Sequence, residues 1–218
     1  MPEEDIKELE SEKVAKTSLP LDPTNFSTIA LIGDINEDTS NEVIFSLLLL
    51  KQKNTEEYLT TVLSMDKEQL SETDLEEIKP NIDFYVSTNG GSADEMFAMY
   101  DVMRMIKDEG ISSISTYGIG KVMSAGVLLL ASGTKGKRYV GKHCRVMIHS
   151  VIGGHVGPMH QLESEFEEVK KIQDTYIRSL AEETEMTEKY LRNLLKKKTN
   201  VYLTAQEAVD LGIADEII

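Results

Sequence analysis

Short apolar runs alternate with amphipathic stretches along most of this chain, and the two periods predict strands and helices in turn. Thr28 to Ile32 (TIALI) is rich in β-formers, stops at Gly33 and predicts a buried strand. Asp38, Thr39 or Ser40 can cap the helix that follows, whose Val43, Ile44, Leu47 and Leu48 share a face. Ile82 to Thr88 predicts a second strand running into Asn89-Gly90-Gly91, and Ser92 to Glu95 has the S-x-x-E form of a capping box. The helix it opens places Met96, Met99, Tyr100, Met103 and Ile106 on one face and stops near Gly110; a methionine stripe at this spacing reads as core. Ile111 to Tyr117 predicts a third strand, Gly118 and Gly120 a turn, and Ala125 to Ala131 a short, wholly apolar helix. Arg145 to Ile148 reads as a strand, and Gly153 and Gly154 open a loop. A long amphipathic helix from Pro158 to about Glu183 carries Leu162, Phe166, Val169, Ile172, Tyr176 and Leu180. Thr187 starts another, with Tyr190, Leu191, Leu194 and Leu195; Val201 to Leu203 is a short strand, and Thr204 to Glu207 a second capping box. The alternation predicts one α/β domain.

Two stretches break the pattern. Residues 1–25 are charged, interrupted by Pro20 and Pro23, and read as a mobile or conditionally helical arm. Residues 52–80 are polar and acid-rich, and read as a surface segment, partly helical or a solvated loop.

Composition narrows the function classes. No apolar run approaches membrane-spanning length, and the acidic N-terminus lacks a signal-peptide core, so a cytoplasmic protein is expected. The single cysteine, Cys144, excludes an internal disulfide and reads as a small buried hydrophobe. A net charge of -15 argues against nucleic acid; the one basic cluster, Lys196 to Lys198, suits a helix C-terminus. His143, His149, His155 and His160 show no metal-ligand spacing, so neither a metal nor a cofactor is expected.

Ser124 and His149 are the candidate chemistry. A serine at the head of an apolar helix sits beside free backbone N–H groups, which stabilise an oxyanion, and a histidine ending a neighbouring strand can serve as its base. A plain cap and a core histidine explain the same two residues. The G-x-S-x-G elbow of α/β-hydrolases fails at Val122, and Gly118-Ile119-Gly120 is too short for a dinucleotide fingerprint.

Ser124-Ala125-Gly126, Thr134 to Tyr139 (TKGKRY) and Arg145 to His149 (RVMIH) closely resemble the active-site core of ClpP, the proteolytic subunit of Clp proteases. Weaker similarity runs from about Ile29 to Ile218, including the C-terminal YLTAQEAVDLGIADEII. The resemblance implies a ClpP/crotonase-like fold over residues 26–218, with 52–80 as a surface insertion and the 158–183 helix as a protruding handle through which two rings meet. It implies Ser124 as nucleophile, His149 as base, and the N–H groups of Gly91 and Ala125 as oxyanion donors. The family usually carries an aspartate at the third triad position, where this chain has Asn200, and a proline where it has Asn89. An asparagine carbonyl can hold the imidazole but adds no charge; replacing the aspartate of a trypsin-type triad by asparagine lowers turnover by about 10⁴.

The implied activity is an ATP-independent serine endopeptidase, assembled as stacked rings and acting on unfolded polypeptides or short peptides. Its implied partners are an ATP-dependent unfoldase or a second ClpP-type subunit, although residues 1–25 lack the family's usual axial-pore pattern. The alternative is a weak or inactive ring subunit beside an active one. A crotonase-type acyl-CoA enzyme shares the fold but leaves the pairing of Ser124 with His149 without a purpose.

Overall fold

The computed structural model describes residues 26–65, 72–154, 156–196 and 200–218; the expected N-terminal arm lies outside these, as do His155, Lys197 and Lys198. Seven strands form one sheet: β1 (Thr28–Ile32), β2 (Asn81–Thr88), β3 (Ser113–Met123), β4 (Arg138–Val140), β5 (Arg145–Ile148), β6 (Val201–Leu203) and β7 (Glu216–Ile217). The main path runs β1-β2-β3-β4-β7, all parallel, while β5 pairs in parallel with β3 and antiparallel with β6. Helices α1 (Glu37–Ser64), α2 (Glu72–Glu77), α3 (Ala93–Asp108), α4 (Gly126–Ala131), α5 (Met159–Glu183), α6 (Glu188–Lys196) and α7 (Ala205–Asp210) connect them.

Every second residue of β2 (Ile82, Phe84, Val86) is buried in one core with Leu47, Met96, Met99, Met103 and α4. Each such side chain contributes about 1.5–3 kcal/mol on leaving water. The opposite sheet face is half-exposed and carries Tyr85, Tyr117 and Tyr139 in register, their rings stacked at 4.6 and 5.0 Å. The methionine stripe of α3 is core throughout, and Thr204 and Glu207 form the expected reciprocal cap of α7.

Several local expectations are corrected. β1 is an edge strand, not a buried one: Ile29 and Leu31 face inward while Ile32 is 61% exposed. Asn36 caps α1, with Thr39 as its reciprocal partner, because the chain turns helical two residues earlier than Asp38 suggests. α1 then continues to Ser64 through the acid-rich stretch, so no loop begins at Gln52. Asn54 is buried there and its amide donates to Ser112 Oγ at 3.2 Å. Ser92 forms no cap to the helix backbone; its hydroxyl instead bonds the Glu95 carboxylate. Phe166 stands 61% exposed on the first half of α5, whose buried residues, Tyr176 to Glu183, all lie in its second half.

Gly118 and Gly120 read from the sequence as a turn, yet they lie inside a strand. They do not end β3. The strand runs on to Met123, with a bulge that moves its pairing from Val86–Gly118 to Thr88–Val122. A Cβ on Gly118 would press on Leu130, and Gly120 takes φ +65°, so glycines carry the strand through the irregularity. The first half of β3 pairs with β4 and the second with β5, which sets the chain before Ser124 beside the strand leading to His149.

Arg138, 3% exposed, ties the far end of this frame together. Its guanidinium bonds both oxygens of Asp215 and the carbonyls of Ala131, Glu183 and Gly212. Partial burial pushes the Asp215 carboxyl up, but the hydrogen bonds and charge of Arg138 outweigh it and hold the group below its usual range.

Candidate active site

Ser124 falls between β3 and α4 with φ +55°, the one positive value on a non-glycine among the described residues. This conformation costs about 1–3 kcal/mol and persists only where the surroundings impose it. Here they do. The Ser124 N–H donates to the Met147 carbonyl on β5 at 2.8 Å, and the Ser124 carbonyl accepts from Val127 N–H at 3.0 Å and from the Tyr176 hydroxyl at 3.1 Å. Gly90 makes room underneath, since a Cβ there would sit 2.5 Å from the Ser124 Cβ. The helix starts at Gly126, one residue later than the sequence suggests, and the Ser124 hydroxyl is not spent on a cap: it has no hydrogen-bond partner among the described residues.

The two expected oxyanion donors border the same space. Ile35 braces the glycine turn, its N–H donating to the Gly90 carbonyl at 2.8 Å and its carbonyl accepting from Ser92 N–H at 2.9 Å. Gly91 lies between these bonds, so close to the Ile35 carbonyl that a side chain would overlap it. Neither Gly91 N–H nor Ala125 N–H has a backbone partner among the described residues, so both remain available to a ligand.

His149 follows β5 and is half-buried. Its Nδ1 lies 2.6 Å from the Ser150 carbonyl. A carbonyl only accepts, so Nδ1 carries the proton and Nε2 is left as the basic nitrogen. No hydrogen bond joins the imidazole to Ser124. The chain beyond is secured where Val151 N–H donates to Gln173 Oε1 at 3.2 Å, and then becomes open, with Ile152 84% and Val156 98% exposed.

Asn200 lies just before β6. The antiparallel pair Ile148–Val201 sets it opposite His149 one step further along the ladder, where facing Cβ atoms are typically about 5 Å apart. It is exposed and makes no hydrogen bond to the imidazole. The structure therefore gathers Ser124, Ala125, Gly91 and His149 around one cavity of about 330 Å³ and leaves Asn200 off its lining. Met96, Ile172 and Tyr176 give the cavity an apolar wall.

Tyr176 and Gln173 are the contacts that sequence reading passes over. Tyr176 fits the apolar face of α5, and only the rule that a buried phenol seeks a partner points further. Burial pushes its ionisation well above the ordinary tyrosine value, so it stays a hydrogen-bond donor. Burial likewise pushes the free Cys144 thiol up to about 11, which makes it a packing residue and not a second nucleophile. Among the described residues no group of His, Cys, Asp and Glu side chains has the arrangement of a metal site, and no helix is long and apolar enough to cross a membrane.

A family model described as Clp protease matches residues 66–218, more than two thirds of the chain and every site residue named above from Gly90 to Asn200. The mostly parallel sheet flanked by helices agrees with the fold of that family.

Proposed function

The chain belongs to the Clp protease family, and from that membership we propose that it is a serine endopeptidase working through Ser124, His149 and Asn200. The observation that carries this reading is the shared cavity, where a strained, uncapped serine faces two unspent N–H donors and a histidine. Ser124 Oγ attacks the peptide carbonyl as His149 Nε2 takes its proton, and the oxyanion is held by Gly91 and Ala125 N–H. The imidazolium passes that proton to the leaving amine, and water then releases the acyl group by the reverse sequence. Asn200, facing His149 across the ladder, helps to orient it.

The apolar wall suits unfolded polypeptides and short peptides. Assembly as stacked rings in the cytoplasm, with α5 as the handle, residues 1–25 as an arm and 52–80 as a surface insertion, belongs to the same proposal. So does feeding by an ATP-dependent unfoldase. A net charge of -15 speaks against nucleic acid as a partner. Hydrolysis of a fluorogenic peptide by purified protein, abolished by Ser124→Ala, is the expected result; unchanged hydrolysis in that variant refutes the reading.

One observation favours a second reading. Ser124 and His149 are not hydrogen-bonded, and Asn200 bonds neither. A weak or inactive ring subunit beside an active ClpP-type partner would have this geometry. Such a protein would co-purify with a second chain of its family and show no hydrolysis alone.

A further inference from the structure

Tyr176 and Gln173 stand one turn apart on α5, at the i, i+3 spacing that puts two side chains on one helix face. Each bonds one end of a peptide unit whose other end belongs to the chemistry. A peptide unit is planar, with its carbonyl and N–H directed oppositely, so fixing one end aims the other. We propose that Tyr176 and Gln173 are positioning residues, Tyr176 aiming the Ala125 N–H at the oxyanion and Gln173 holding the carbonyl that fixes His149. The inference rests on the peptidase reading above.

On the serine side, the unit linking Ser124 to Ala125 has its carbonyl held by the Tyr176 hydroxyl at 3.1 Å and by Val127 N–H at 3.0 Å. Two donors on one oxygen leave the plane little freedom, and its N–H is the unspent Ala125 donor. Tyr176 is 4% exposed, and Ser124 O is the hydroxyl's partner. Ser124 itself has φ +55°, a backbone conformation uncommon for a residue with a side chain, so this peptide keeps its orientation through the bonds it makes.

On the histidine side, the unit linking Ser150 to Val151 gives its N–H to Gln173 Oε1 at 3.2 Å, while its carbonyl stands 2.6 Å from His149 Nδ1. The chain Gln173, peptide, imidazole is a run of hydrogen bonds in one sense, in which each bond polarises the next. It places a neutral acceptor on Nδ1 where the family's aspartate would supply a charged one. One helix thereby serves both halves of the site.

Tyr176→Phe keeps the ring and removes only the hydroxyl. On protein that elutes like wild type in gel filtration, its kcat for peptide hydrolysis should fall by about tenfold or more with KM unchanged, because an oxyanion donor acts in the transition state alone. Gln173→Ala should lower kcat by roughly tenfold, the scale of one hydrogen bond, and Gln173→Glu, whose carboxylate still accepts from Val151 N–H, should restore it. A residue that merely packs would not show that rescue. Wild-type kcat in both Tyr176→Phe and Gln173→Ala overturns the inference and leaves the peptidase reading standing. No hydrolysis by wild type at all overturns the peptidase reading itself.

Discussion

Ser124 is held by a strand, a helix and a buried tyrosine, whereas His149 stands at the root of a loop whose residues Ile152 and Val156 are almost fully exposed. The serine wall is a product of the core: β3, α4 and the glycine turn pack so closely that side chains are excluded at Gly90 and Gly91. The histidine wall depends on one bond that Val151 N–H donates to the Gln173 side chain and on a neighbour in register, Asn200. On the peptidase reading, folding of the single chain thus holds the proposed nucleophile and oxyanion donors firmly and the proposed base by fewer contacts. Lesions on the serine side should cost stability and chemistry together, and lesions on the histidine side chemistry alone.

The largest effect is expected from Gly90→Val. Its branched side chain would meet Ser124 Cβ and the Met123 carbonyl at a residue with φ +96°, so Ser124 must move. A displacement near 1 Å can cost about 100-fold, and hydrolysis by assembled protein should fall at least that far. Retained activity would show that the serine wall yields.

Arg138→Met comes next. It leaves Asp215 without its guanidinium and removes a donor from three carbonyls, of which Glu183 keeps Lys135 while Gly212 and Ala131, at the end of the serine helix, lose their side-chain donor. Losing this half-buried ion pair and its carbonyl bonds should cost about 1.5–3 kcal/mol, readable as a lower urea midpoint at an unchanged slope. An unchanged midpoint would remove Arg138 from the account of the frame.

On the histidine side the changes should be smaller and should reach activity only. Asn200→Asp places a charge beside the imidazolium and should raise kcat by roughly tenfold, well short of the 10⁴ seen in sites built around aspartate, because the Ser150 carbonyl already holds Nδ1. Asn200→Ala should lower kcat by less than about threefold, well inside the tenfold scale of one hydrogen bond. Its complete loss of activity would mean that Asn200, and not the peptide, orients the ring.

The smallest effect is on acid stability. Arg138 holds the Asp215 carboxyl below its ordinary value, so this pair's contribution is fully present above an unfolded pKa of about 3.9 and is lost as pH falls through the folded value. Melting temperature should therefore be insensitive to this pair from pH 7 to 5 and decline below about pH 4, with a shallower acid decline in Arg138→Met. Equal slopes in the two proteins would contradict that assignment.

Local patterns in the sequence already determine much of this. The α3 methionine stripe and the Thr204 cap follow from spacing alone, and the resemblance around Ser124 and His149 points to the cavity that both residues line. Features that depend on distant partners are hidden. Gly118 and Gly120 read as a turn because glycine usually ends a strand; here it lets β3 bulge and change partners from β4 to β5. The continuation of α1 to Ser64 lacks an apolar core face, with Leu59 50% and Leu63 74% exposed, and draws on local pairs such as Lys53–Glu57. Tyr176 meets Ser124, and Arg138 meets Asp215, across 52 and 77 residues of chain, beyond any window of periodicity.

The central claim is that this fold activates Ser124 without an aspartate. Intact-mass measurement after incubation with a fluorophosphonate, on the assembled fraction and beside Ser124→Ala, tests it most directly. The account predicts one adduct per chain in the wild type and none in the variant. An assembled wild type that takes up no adduct, or a variant that still takes one up, would contradict it.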